Sequence, residues 1–420
     1  MGFAISNVVN YAMMCGDTDP TLMEVSMATN GSGIDRRKFL KLGAATSGLA
    51  IGGCGRVDDV MADVSDLEMQ FRPLGGTGLK VSAVSFGSYG FDNPALLSAA
   101  LDAGMTTICT SGSYQNGRAE ETIGKAIGTI GGRRDELVLF TGAVVRAGAS
   151  KQSVLGSIDA SLRRLQTDRV EIFRITGVSS PDELAVDALF EAFKEAKAAG
   201  KVSHLGLSGH HGGMQDVLNA AIDDGRYEVL FTKYDFASYP DQDEILSRAS
   251  GKGIGTLVFK TGAGNREKEI KDLEAGGLSY KQATIKWALT NPNVASVCVK
   301  ITNFSQIREY AEAASTKITE PEVAMLRTYA EQMYDKYCRF CSTCEASCPH
   351  EVAVADVMRY AMYFKYYGRE KDSMECYGEL PRECQAATCD ECSAPCESAC
   401  PFGRQVKDEL VEAHRLLSFA

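Results

Sequence analysis

Eight of the 14 cysteines in this 420-residue chain fall into two runs near its end. Cys338, Cys341, Cys344 and Cys348 read C-x-x-C-x-x-C-x-x-x-C and close on Pro349. Cys389, Cys392, Cys396 and Cys400 read C-x-x-C-x-x-x-C-x-x-x-C and close on Pro401. Three closely spaced thiolates can each hold one iron of a cubane cluster, so the chemistry expected here is that of iron and sulfur.

The runs resemble those of two-cluster ferredoxins, where the cysteine before proline ligates the other cluster. On that pattern Cys338, Cys341, Cys344 and Cys400 hold one [4Fe-4S] cluster, and Cys389, Cys392, Cys396 and Cys348 hold the other. Two other readings stay open. Cys384, Cys389 and Cys392 give C-x4-C-x-x-C, the opening of a plant-type [2Fe-2S] site. Zinc or disulfides would also use cysteines, although zinc favours separated C-x-x-C pairs.

Elements must position these groups. The composition, 45% hydrophobic and 24% charged, is that of a globular chain large enough for one big domain and appendages. A net charge of −11 argues against nucleic acid as a partner. No apolar run is long enough to span a bilayer. Near the start, Arg36 and Arg37 precede a mildly apolar stretch that ends at Gly53. This resembles a bacterial twin-arginine export signal. That route carries folded proteins, which suits clusters assembled before export. Ile51 to Cys54 looks like a lipoprotein cleavage box, with Cys54 as a lipid anchor. The expected place is the periplasm, or the periplasmic side of a membrane. Residues 1–56 are read as leader and signal, and 57–70 as an acidic linker.

From 71 to 330, short apolar runs alternate with amphipathic ones. Strands are expected at 81–86, 106–109, 137–140, 170–175, 202–207, 229–236, 255–259 and 295–299. Helical patterns lie between them, for example at 119–127, 154–165 and 182–199. Gly104, Gly200 and Gly225 are placed to end helices. Eight alternations predict an α/β fold, a (β/α)8 TIM barrel with chemistry at the carboxyl ends of its strands. Residues 331–420 are read as a small α-helical ferredoxin-like domain, with a helix over 352–367 as a packing spacer.

The barrel resembles the aldo-keto reductase family. Leu74 to Ser82 looks like its opening hairpin and first strand, Gly206 to Ser208 like the end of its fifth strand, and Trp287 to Pro292 like its seventh helix. A branch of that family carries a ferredoxin-like tail. The resemblance implies carbonyl reduction by a nicotinamide hydride, with Tyr, Lys, His and Asp as the catalytic set. Tyr114 matches the Tyr, but Asp, Lys and His fall on Cys109, Gly142 and Thr176. A Tyr without a nearby cation is a poor proton donor, and losing general-acid help costs about a hundred- to ten-thousandfold in rate.

Arg174 either supplies that cation or is paired within the core, and Cys109 is either a thiol ionised by Arg174 or a small core residue. For NAD(P), the resemblance implies Ser208 at the nicotinamide amide, and Lys300 and Glu309 at the adenosine phosphate end. The usual Asn, Gln, Arg and Asn fall on Gly209, Phe231, Gln306 and Tyr310. Lys260, Gly262 and Lys300 are candidates for a phosphate site after strands seven and eight. His210 and His211 follow the fifth strand, as ligands or as idle loop residues. Three functions follow as expectations. One is an exported redox protein with a small-molecule ligand and a redox partner. Another is a barrel that has lost hydride chemistry and serves as a scaffold. The third is an ordinary NAD(P)H-dependent carbonyl reductase.

Overall fold

The computed structural model describes residues 67–418, apart from 147, 179, 185, 210–212, 238–241, 265, 275, 276 and 335. The twin-arginine stretch, Cys54, His210 and His211 lie outside the described residues.

A hairpin comes first, β1 (Phe71–Pro73) against β2 (Lys80–Ser82). Its turn lies against the barrel floor. A Cβ on Gly75, at φ +52°, would sit 2.4 Å from the carbonyl oxygen of Gly253, so glycine is needed there. Leu74 and Val81 plug that end of the barrel. Eight parallel strands then close on themselves: β3 (Val84–Gly87), β4 (Thr107–Cys109), β5 (Val138–Val144), β6 (Val170–Thr176), β7 (Val202–Gly209), β8 (Val229–Lys233), β9 (Gly255–Phe259) and β10 (Ser296–Lys300). In the ring β10 lies between β9 and β3.

The helices of this unit are α1 (Pro94–Asp102), α2 (Arg118–Ile127), α3 (Lys151–Leu165), α4 (Asp187–Ala198), α5 (Met214–Asp224), α6 (Gln242–Gly251), α7 (Glu267–Glu274), α8 (Tyr280–Thr290) and α9 (Phe304–Ser315). Gly104, Gly200 and Gly225 follow α1, α4 and α5 at positive φ, which stops each helix before the next strand. Each strand is apolar on both sides because one side faces the helices and the other the barrel interior. Inside, Val138, Phe140, Ile172, Val229, Phe231 and Leu257 fill the barrel.

Two strands differ from expectation. The single strand expected at 81–86 is split at Ala83. The Ser82 hydroxyl donates to the Val84 carbonyl (2.8 Å) and accepts from Thr107 N–H (3.2 Å), so a side chain takes over a ladder position. The strand expected to reach 236 ends at Lys233. There Asp235 accepts from the Ala237 N–H at 3.0 Å and turns the chain.

α10 (Glu320–Gln332), started by a reciprocal cap between Thr319 and Glu322, straddles the boundary read at 330 and leads from the barrel into the tail. The tail continues through α11 (Val354–Tyr366), α12 (Glu370–Gly378), α13 (Pro395–Ala399) and α14 (Val406–Leu417). α12 and α14 pack on α11. Tail residues Met333, Tyr337, Phe340 and Val357 share one apolar cluster with Ala237, Ala263 and Tyr280 of the barrel. The tail is therefore packed onto the carboxyl end of the barrel by a common core. No helix among the described residues is long and apolar enough to cross a membrane.

Candidate functional site

Side chains alternate along β6, so Phe173 faces the helices while Ile172 and Arg174 face the interior. Arg174 is 2% exposed. Its guanidinium lies 5.0 Å from the Phe140 ring centre and 5.1 Å from that of Phe231, and it reaches the Tyr114 hydroxyl. Glycines on both neighbouring strands make room for it. A Cβ on Gly142 would fall 2.1 Å from the Arg174 carbonyl oxygen and 2.5 Å from its Cγ, and one on Gly206 would fall 3.2 Å from its Cβ. Any side chain at 142 would thus strike the backbone of residue 174 as well as the stem of its arginine. Arg174 is both a core residue and the cation beside Tyr114.

Tyr114 follows β4 in a short helical turn, and its ring stands edge-on to Tyr89 at 5.4 Å. Burial pushes its pKa up; Arg174 opposes this without reversing it. The phenol therefore keeps its proton at neutral pH. Cys109 is buried nearby, and its hydrogen bond to Cys298, together with burial, drives the Cys298 thiol well above the usual range.

The other predicted positions spread around the mouth. Ser208 is buried near the end of β7. Beside it, Phe231 packs edge-on to Phe140 (5.1 Å) and tilted against Phe259 (4.6 Å), an apolar wall. Lys300 stands over the Tyr89 ring at 5.3 Å. The Gly262 carbonyl accepts from the Tyr280 hydroxyl at 3.2 Å, and Glu309 accepts from Ser279 at 2.5 Å, where α8 meets α9.

The tail reaches into this mouth. Tyr363 on α11 bonds to Lys260 after β9. Burial alone would raise its pKa, but Lys260, Arg359 and Arg369 outweigh it and bring it down to about 8. Arg369 stacks on both Tyr89 (4.8 Å) and Tyr363 (5.3 Å) and pairs with Asp372 at 3.0 Å. Lys233 pairs with Asp235 at 3.0 Å under the ring of Tyr337, 4.8 Å away. Tyr329 donates to the Ala263 carbonyl at 3.3 Å, and Tyr337 lies where a Cβ on Gly264 would come within 2.9 Å. The loop after β9, one of the places where such barrels commonly hold phosphate, is covered by tail side chains. Tyr337, Arg359, Tyr363 and Arg369 were not singled out from the sequence. The one signal for Arg359 and Tyr363 was the Tyr- and Met-rich run at 352–367, which reads equally well as packing.

The tail cysteines line two cavities. One is walled by Cys338, Cys341, Cys344 and Cys400 with Phe340, Met358 and Arg404. The other is walled by Cys348, Cys389, Cys392 and Cys396 with Pro395 and Lys407. Each cavity takes three cysteines from one run and one from the other. Cys384 lines neither. The Phe340 N–H and the Thr343 hydroxyl donate to the sulfurs of Cys338 and Cys341, each at 3.4 Å. Such donors favour thiolate sulfur and tune a cluster bound to it. Among the described residues no three His, Cys, Asp or Glu side chains are grouped to hold one metal ion. Met358 walls the first cavity and Tyr363 meets Lys260, so one helix spans the short distance between cavity and mouth.

Residues 92–271 match the model of the Aldo/keto reductase family, so the barrel carries a domain of that family. The chain is 26% identical over 306 residues to "Uncharacterized oxidoreductase YqkF" of Bacillus subtilis (strain 168), covering 63% of this chain and 97% of the relative. It is also 26% identical over 304 residues to a "Probable voltage-gated potassium channel subunit beta" of Arabidopsis thaliana, 58% of this chain and 91% of that one. Among solved structures, the holo form of aldo-keto reductase AKR11C1 from Bacillus halodurans superposes with a TM-score of 0.52 at 23% identity, covering 62% of this chain and 96% of that chain. This likeness is one of fold.

Proposed function

We propose that this aldo-keto-reductase-like oxidoreductase works with electrons delivered through its tail, by two [4Fe-4S] clusters, on a small organic molecule at the barrel mouth. The observation that carries the reading is the grouping of the eight cysteines into two four-sulfur cavities, the first walled by the helix that reaches Lys260. When bound, such clusters pass electrons one at a time between a redox partner and the mouth. Cys338, Cys341, Cys344 and Cys400 would hold one, and Cys348, Cys389, Cys392 and Cys396 the other.

The chain's own groups do the rest. Tyr114 stays protonated, and Arg174 fixes its hydroxyl. Tyr363 and Lys260 share a proton at the roof. The Phe140, Phe231 and Phe259 wall keeps water from the floor. Export by the twin-arginine route to the periplasm, with or without a lipid at Cys54, belongs to the same proposal and rests on the sequence of the leader.

The test is iron and acid-labile sulfide content, with low-temperature EPR, on protein purified anaerobically. About eight irons and eight sulfides with interacting signals are expected, as two cubanes require. Zinc, or no metal, overturns the reading. A second reading is a barrel without hydride chemistry that serves as a scaffold. It is favoured by the substituted positions at Cys109, Gly142 and Thr176, and by the relative named as a channel subunit. NAD(P)H oxidation across a panel of aldehydes separates both from a conventional reductase, which alone would turn over.

A further inference from the structure

Among the described residues, one buried cation at the mouth has no anion beside it. Lys233, Arg359 and Arg369 each pair with a carboxylate, from Asp235, Asp356 and Asp372. Among the described residues Arg174 reaches only a phenol, and its Nε and Nη1 have no hydrogen-bond partner there although the residue is 2% exposed. Its neighbours carry no compensating charge. Tyr114 keeps its proton, the Cys298 thiol is driven well above its usual range, and Phe140 and Phe231 offer ring faces only. Ring faces return part of the desolvation cost of a guanidinium, and an uncompensated charge in a core is otherwise among the least tolerated arrangements. Yet Gly142 and Gly206 leave this residue its space, and the strand alternation points it inward just below the mouth.

The surroundings narrow the missing anion. Phe140, Phe231 and Tyr114 present carbon surface beside the guanidinium, whereas a bare inorganic anion needs donors on every side. Lys260 above adds a second cation whose described partner is a phenol. A flat or short carbon skeleton ending in a carboxylate satisfies both the free donors and the aromatic wall.

We propose that the barrel mouth binds a small organic acid, its carboxylate on the guanidinium of Arg174 and its skeleton against Phe140, Phe231 and Tyr114. This deepens the proposed function by naming the class of its ligand, and it rests on the mouth being the reaction site. The binding itself needs no electrons.

Calorimetric titration of the full anaerobic protein tests it. The probes are pyruvate and benzoate, with pyruvamide and benzamide as neutral counterparts and chloride and phosphate as inorganic anions. At least one acid is expected to bind while its amide does not, and Arg174→Gln is expected to weaken that binding tenfold or more. Arg174→Lys, which keeps the charge without the planar donors, should lose less. Equal binding of acid and amide, unchanged binding in Arg174→Gln, binding of chloride or phosphate alone, or binding of neither acid overturns the proposal. Should the variants fail to fold, 4-iodobenzoate soaked into wild-type crystals decides. Iodine anomalous density within the mouth supports the site, and its absence there overturns it. Metal content is read separately, so acid binding without iron would sink the redox reading alone, and iron without acid binding would sink only this inference.

Discussion

The mouth of the barrel and the tail above it are built on opposite terms. At the mouth the fold is kept and the chemistry has changed: Cys109, Gly142 and Thr176 stand where the family resemblance calls for ionisable groups, and Arg174 fills the space a lysine would take. In the tail the eight thiols sit on loops, short helical turns and the five-residue α13, between segments that turn through left-handed residues such as Phe340, Ser342 and Ala394. A barrel tolerates exchange of its rim residues because its stability lies in the layers beneath. A cysteine cage of the proposed kind would have no such reserve, because each thiol would be a ligand and one loop conformation would serve several of them. The contrast teaches that a site can keep its address in a fold while its working parts arrive from another segment.

The largest effect that would break this comparison is an exchange of cage membership. Cys400→Ser is expected to empty the cavity of Cys338, Cys341 and Cys344, lowering iron from about eight to about four per chain. Cys348→Ser should do the same to the Cys389 cavity. In each variant the magnetic interaction should vanish and a single cluster signal remain. If Cys400→Ser instead removes the same signal as Cys392→Ser, each run keeps its own cluster and the grouping seen here fails.

Next in size is an attempt to restore the mouth. Gly142→Lys puts back the residue type that the resemblance calls for, but its Cβ falls on the Arg174 backbone. Overpacking of this kind costs about 1–3 kcal/mol, or more when backbone must move. Denaturant unfolding should register that loss, and NADPH oxidation with aldehydes should not appear. Stable protein with new reductase activity would mean that Arg174 yields easily and that the mouth is less altered than it looks.

A subtler test addresses the seam. The Lys260–Tyr363 pair is expected to release one proton near pH 8, a property of the pair more than of either member. Burial lowers Lys260, and Lys260, Arg359 and Arg369 lower Tyr363 against its own burial. A free phenol titrates at 10.0, so the folded state loses this proton first. Stability gained from the pair is therefore absent below about pH 8 and grows as pH rises toward 10. Ultraviolet titration should show one early tyrosinate that Tyr363→Phe removes and Lys260→Met moves upward. Wild type should gain stability over Tyr363→Phe across that window. A flat difference would mean that the tail does not seat its tyrosine on the barrel in solution.

The barrel was legible in the sequence because its signal is periodic. Eight apolar runs with amphipathic spacers can close in few ways, and the glycines after α1, α4 and α5 punctuate them. The break at Ala83 was not legible, since a serine hydroxyl replacing a ladder bond leaves no trace in hydrophobicity. Arg174 could be placed inside by alternation, but its contact with Tyr114 depends on Gly142 and Gly206, which are distant in sequence and look unremarkable there. Tyr363 was hidden for another reason. A tyrosine on a helix rich in Tyr and Met reads as packing until the partner across the seam, Lys260, is known.

The smallest effect concerns the joint between the two regions. Thr319 caps α10 by accepting from the Glu322 N–H, while the Glu322 carboxylate returns to the Thr319 N–H at 2.7 Å and to Lys286 of α8, also at 2.7 Å. One carboxylate thus ties the first tail helix to the barrel wall. Thr319→Ala removes the cap but leaves the buried Lys286–Glu322 pair, so a loss of about 0.5–2 kcal/mol is expected. If tail and barrel unfold together, as their shared core implies, both the cluster absorbance and the barrel signal should shift to lower denaturant by the same amount. Separation of the two transitions would show that α10 is a hinge, and that the roof over the mouth can lift without the barrel coming apart.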